Sequence, residues 1–213
     1  MRLLQGLQSV CCVVGALLAS AVSLRAQTLS FEANWFPSGD YTPVPITHLY
    51  GGFTWTFFGV VDRRFFGTDV NGFVTTAIRT NSDVVGYNEY GEVATLSRGS
   101  PFRFSSAWVA SGQREGMVLD LRGYDALGIQ VENAAYVIGS TPIQITPNWA
   151  KLWSVSFSAT GGTPQTLVNT FAIDDIEVAD VLYESTTAPE PATVGLLGIG
   201  LLGLAAAHRT RKP

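Results

Sequence analysis

Thiols are all but missing from this chain of 213 residues: Cys11 and Cys12 are its only cysteines, and both sit in the apolar start of the sequence. Once that start is removed, no disulfide framework, thiolate metal site or cysteine nucleophile is available. Histidine is as scarce, because His208 lies among the last residues and His48 alone remains in the body of the chain. A Ser-His-Asp triad would have to use His48, and a multi-histidine zinc site is excluded. No Gly-x-Ser-x-Gly sequence is present to expose a serine nucleophile on a tight turn. Basic residues are in deficit: residues 27–188 carry 8 Lys and Arg against 16 Asp and Glu, a net charge of −8, where the whole chain has −4. A surface of that sign offers nucleic acid no electrostatic footprint. The body of the chain also lacks any sustained 3.6-residue apolar period, which argues against helices.

What is present begins with a leader. Arg2 is followed by an apolar stretch over 10–21 and by two small-residue cleavage points, Ala19-Ser20-Ala21 and Leu24-Arg25-Ala26. This is the form of a secretory signal peptide, taken here as residues 1–26 with Gln27 as the mature start, with cleavage after Ala21 as the alternative. Residues 27–183 are the right length for one domain with its own core. Short alternating runs between Gly, Pro and Asn turn signals predict strands near 29–35, 48–61, 72–78, 93–96, 102–110, 116–124, 129–138, 149–159 and 167–178. About nine strands without a helix make an all-β domain, two packed antiparallel sheets in a β-sandwich. Phe53, Trp55 and Phe57 form one inward row and Phe102 and Phe104 another, and Trp55, Trp108 and Trp153 are expected in the core. Residues 184–188 are a short polar linker.

The end of the chain has three parts in fixed order. Pro189, Glu190 and Pro191 precede an apolar run over 192–207, and His208, Arg209, Arg211 and Lys212 give the last stretch, 208–213, a basic character. Sixteen residues at ~1.5 Å rise make roughly 24 Å of helix, somewhat short of the ~30 Å hydrocarbon core. Such a transmembrane helix spans by thinning the bilayer or by extending its basic flank, and the positive-inside tendency puts Pro189 and everything before it outside. This order resembles the sorting signal of PEP-CTERM proteins, the substrates of exosortase. The resemblance implies export, an inner-membrane intermediate, cutting near 189–191, and a final place at the surface or outside a Gram-negative, polysaccharide-producing cell.

A second resemblance spans the domain. Phe31-Glu32, Tyr50 to Trp55, Phe102 to Ala107 and Phe171 to Ile176 are similar to stretches of exported jelly-roll domains related to carbohydrate-binding modules. It implies a structural Ca²⁺ held where first and last strands adjoin, with Glu32 and either Asp174 or Asp175 as carboxylate ligands.

A glycan contact needs exposed aromatic faces beside amides or carboxylates. The stretch 81–92 reads as a loop and supplies Tyr87, Asn88 and Tyr90 between Gly86 and Gly91; Trp35, Phe36 and Tyr41 form a second candidate. A glycoside hydrolase needs two carboxylates ~5–9.5 Å apart. Asp62, Asp69, Glu89, Glu92, Glu115 and Asp120 are available, but sequence does not pair them. The expectation is therefore a protein that is not an enzyme. It would be an exosortase-sorted surface or matrix β-sandwich associated with exopolysaccharide or biofilm, in a structural role or as a lectin-like module, with a hydrolase as the third reading.

Overall fold

In a computed structural model the described residues are 26–32, 35–36, 41–47, 49–164 and 168–181. The leader 1–25, His48, and the tail residues Pro189, Glu190, Pro191, Arg209, Arg211 and Lys212 lie outside them. Among the described residues no helix is long and apolar enough to cross a membrane.

The domain is all-β, as its alternation predicts, with eleven strands: β1 (Ala26–Leu29), β2 (Val44–Pro45), β3 (Thr54–Thr56), β4 (Phe58–Asp62), β5 (Val84–Asn88), β6 (Ala94–Ser111), β7 (Glu115–Tyr124), β8 (Gln130–Ile138), β9 (Ile143–Ile145), β10 (Trp149–Thr163) and β11 (Phe171–Asp180). Every pairing is antiparallel. The path runs β2-β4-β5-β11-β6-β10-β7-β8, with β1 on β11 and with β3 and β9 on β6. Four strand intervals separate β4 from β10, roughly 19 Å in a flat sheet. Yet the rings of Phe58 on β4 and Phe157 on β10 lie 5.7 Å apart. The sheet therefore doubles over into two layers, and the long strand β6 is shared between them: β3 pairs only with its first part, Thr95–Ser97, β11 only with the stretch from Phe102 onward, and β10 with residues of both.

Between the layers lies an aromatic core. Phe31, Phe53, Phe58, Phe102, Phe104, Phe157 and Phe171 are fully buried, each contributing about 2–3 kcal/mol. Strand β7 shows the period of two, with Met117, Leu119 and Leu121 inward. On the outer face Asp120 pairs with Arg122 at 2.8 Å. Trp55 is buried as expected, but Trp108 is half-buried under the Arg79 guanidinium, 4.1 Å from its ring, and Trp153 is half-buried.

Five expectations need correction. The strand predicted near 29–35 lies earlier, since β1 ends at Leu29 and residues 30–32 are not strand. The stretch predicted as a strand over 72–78 is an α-helix, α1 (Gly72–Thr80), so the domain is not free of helix. Asn71, one of the Asn turn signals, caps this helix: its side-chain oxygen accepts from the backbone N–H groups of Phe73 and Val74 at 3.0 and 3.1 Å. The stretch 81–92 is not a loop; it contains β5 and a short 3₁₀ turn (Glu89–Gly91). The strand predicted over 48–61 is two strands, broken at Phe57, whose φ of 53° turns its ring outward, 48% exposed. The runs predicted near 93–96 and 102–110 are one continuous strand, β6.

Helix α1 is seated on the end of β6 at Gly72. A Cβ there would stand 1.7 Å from the Ser111 carbonyl oxygen, and the Gly72 N–H donates to the Gly112 carbonyl at 3.1 Å. Gly72→Ala is expected to cost about 2–3 kcal/mol through this overlap, read as a lower urea midpoint. An unchanged midpoint would show that the helix start does not need this close approach.

Candidate functional site

The candidate glycan residues separate into two kinds. Asn88 is fully buried: its amide donates to the carbonyls of Glu92 and Asn169 at 3.1 and 3.0 Å, and its oxygen accepts from the Phe171 N–H at 2.8 Å. It fastens β5 to the start of β11, and no group is left for a ligand. Tyr90, by contrast, is 82% exposed and held at φ 54° in the left-handed region. That conformation is uncommon for a bulky side chain and makes a kink inside the 3₁₀ turn.

Tyr87 stands between them, half-buried on β5, its ring laid over Gly59 of β4, where a Cβ would come within 2.6 Å of it. The Phe73 ring of α1 meets it edge-on at 6.3 Å, and Phe66 stacks on Phe73 at 4.9 Å. Burial, with the charge of Glu89 and then Tyr90 nearby, pushes the Tyr87 hydroxyl up to about 12, so it stays a neutral donor and acceptor.

These rings line an open groove of about 160 Å³, walled by Pro43, Val61, Phe66, Phe73, Tyr87 and Val168, with Gln113 and Thr170 on its rim. Tyr90 does not line it, but the next residue, Gly91, packs against Val168 of its wall. Gln113 also lines a second, polar cleft of about 380 Å³ with Asp69, Asn71, Glu115 and Ser140. Hydrogen bonding from Ser140, whose backbone N–H lies 2.8 Å from the carboxylate, holds Glu115 below the usual carboxylate range. An apolar floor thus runs into a wall of amide, carboxylate and hydroxyl groups. Sequence reasoning missed Phe66, Phe73, Gln113, Val168 and Thr170, which come from four separate stretches and meet only through the fold.

The second aromatic candidate is packing. Phe36 is buried, Trp35 meets Tyr50 edge-on at 5.4 Å, and Tyr41 lies under the Arg64 guanidinium at 4.2 Å.

The first and last strands do adjoin, as the proposed metal corner requires: Leu29 pairs with Ile176. Glu32, Asp174 and Asp175 are neighbours, and Asp175 titrates above the ordinary range because of burial and then the charges of Glu32 and Glu177. Asp174, however, is fully buried and already held by protein donors. Oδ1 accepts from the N–H groups of Phe31 and Asp175 at 3.3 and 2.9 Å, and Oδ2 lies 2.6 Å from the Thr80 hydroxyl. Desolvation raises its carboxyl to about 7. With both Asp174 oxygens already accepting from protein N–H and O–H donors, this carboxyl offers a calcium ion few free lone pairs. Among the described residues no group of three His, Cys, Asp or Glu is placed to hold a metal ion.

Residues 187–212 match the PEP-CTERM protein-sorting motif. No curated protein matches the chain by sequence. Among solved structures, a DUF4465 family protein from Bacteroides caccae is similar at 13% identity and TM-score 0.47, covering 74% of this chain and 100% of its own. A family 32 carbohydrate-binding module from C. perfringens NanJ, in complex with galactose, is similar at 12% identity and TM-score 0.35, covering 61% of this chain and 94% of that one. A family 61 module in complex with β-1,4-galactotriose is similar at 12% identity and TM-score 0.34, covering 61% of this chain and 88% of its own.

Proposed function

We propose that this protein is a non-catalytic, exosortase-sorted surface or matrix protein that holds a glycan of its own cell's exopolysaccharide in the groove of Tyr87, Phe66 and Phe73. The sorting motif supports the address. The observation that carries the contact is the apolar groove sharing Gln113 with a polar cleft. A sugar presents C–H faces to the first and hydroxyls to the second. The net charge of −8 over residues 27–188 favours a neutral glycan over an acidic one. Of the six carboxylates that a hydrolase could use, three already have partners: Asp62 is paired with Arg64, Asp120 with Arg122, and Glu115 accepts from the Ser140 N–H.

Tyr90→Ala and Gln113→Ala test the contact, because both side chains are exposed and can be removed without opening the core. Each is expected to weaken binding of exported protein to the exopolysaccharide by roughly tenfold, with melting unchanged. Undiminished binding in both variants would move the glycan elsewhere or remove it.

A further inference from the structure

The two ends of the sheet are unlike. At one end β2 is two residues long and includes Pro45, a short edge that resists pairing. At the other end β8 is nine residues long, contains no proline and no lysine, and pairs only with β7. Among the described residues nothing pairs its free edge. Its outer face carries apolar side chains that are left in water: Val131 is 50% and Val137 70% exposed, and Ile129 just before the strand is 57% exposed.

We infer that β8 is an interface with a second copy of this chain, the two β8 strands pairing antiparallel about a two-fold axis at Ala134. The strand is self-complementary in that register. It is the one register that pairs all nine residues, and it places Val131 opposite Val137 of the copy on the outer face. On the inner face Glu132, the only charged residue of the strand, stands opposite Tyr136 rather than opposite its own copy. Val131 faces Val137, Ala134 faces its own copy, and no like charges are opposed, which favours the cross-strand ladder. The contact is isologous, the same strand contributed by both copies, and it therefore closes as a dimer. The pairing stands whether or not the aromatic groove takes a glycan; with it, each dimer presents two grooves on one continuous sheet.

The mature chain has no thiol, so single cysteines report the register in the full-length protein expressed and exported by its own cells. Residues directly opposite across an antiparallel pair have Cα atoms about 4.5–5.5 Å apart, within disulfide reach. Ala134→Cys is expected to form a reductant-sensitive dimer. Val131→Cys, whose partner is Val137 rather than itself, is expected to stay monomeric. Adding Val131→Lys and Val137→Lys to Ala134→Cys places like charges near each other at exposed positions and should reduce the cross-linked fraction roughly tenfold, with melting unchanged. Three results overturn the inference: no more dimer from Ala134→Cys than from Val131→Cys, a dimer indifferent to the lysines, or cross-linking of Ala134→Cys to a protein of another mass or to the chain's own tail.

Discussion

Asn88→Ala is expected to lower the stability of the domain by on the order of 2–3 kcal/mol, whereas Tyr90→Ala two residues on should change it by less than about 0.5 kcal/mol. The contrast follows from what each side chain touches. Removing the Asn88 amide strands a buried N–H at Phe171 and the two carbonyls of Glu92 and Asn169. The Phe171 N–H, on a residue with no exposed surface, costs about 1–3 kcal/mol when left unpaired, whereas Glu92 is exposed and Asn169 half-buried, so their carbonyls cost less. Tyr90 projects into solvent and supports nothing. Denaturant melts of the two variants check this directly. Equal stabilities would mean that the link between β5 and β11 is made elsewhere.

The second large effect is a stability that falls as pH rises. Asp174 has its carboxyl raised from the ordinary 3.8 to about 7, chiefly by burial. The groups that face it are Thr80 from α1, Phe31 beyond β1, its neighbour Asp175 and the neutral Tyr50 hydroxyl, with the Glu32 charge acting on Asp175 and Tyr50. The folded state binds the proton more tightly than the unfolded chain, so the stabilisation is complete below about pH 4 and is lost as pH rises through about 7. Between about pH 5 and 8 the loss is on the order of 2–3 kcal/mol. Asp62 acts in the opposite sense at more acid pH. Burial works against its charge, but hydrogen bonds from Arg64 outweigh burial and hold the carboxyl below its ordinary range. Asp174→Asn isolates the effect. Its amide oxygen can keep the Phe31 and Asp175 donors while its NH₂ donates to the Thr80 hydroxyl, which lies 3.0 Å from the Thr76 carbonyl. The variant is expected to match the protonated wild type, with a flat melting profile over about pH 5–8 and greater stability than wild type at the alkaline end. A variant that melts lower at every pH would show that the buried group works as a charge. Because the corner is held by hydrogen bonds, a chelator is expected to leave the melting temperature of the wild type where it was.

Much of this architecture was legible in the residues themselves. In β7 the alternation of Met117, Leu119 and Leu121 with Val118, Asp120 and Arg122 meets one buried and one wet face, which is the circumstance that writes a period of two into a sequence. Strand β5 was hidden because Val84, Val85, Gly86 and Asn88 are all buried, so nothing alternates. Helix α1 was hidden by its composition. Val74, Thr75, Thr76 and Ile78 favour strands by propensity, and the Asn71 cap with the i, i+4 pair Phe73 and Ala77 on the buried face overrides them. Phe57 broke its own row because a left-handed backbone cannot be read from an alternating pattern.

The site was half-legible for the same reason. Glycines on either side of Tyr87 to Tyr90 pointed to the right stretch, but exposure differs residue by residue along a twisted strand that ends in a 3₁₀ turn. Asn88 therefore faces the core while Tyr90 faces water. The rest of the groove comes from the 3₁₀ turn Arg63–Phe66, from α1, from Gln113 between β6 and β7, and from the residues before β11. No linear spacing records that convergence.

Titration of the exported protein with the exopolysaccharide of the producing cell tests the central claim most directly. The account predicts saturable binding that loses roughly tenfold in affinity on Tyr90→Ala. It also predicts that binding persists at high salt, because the contact is made by aromatic faces and neutral hydrogen bonds on an acidic protein. No saturable binding, or binding that disappears as salt is added and ignores Tyr90, would contradict it.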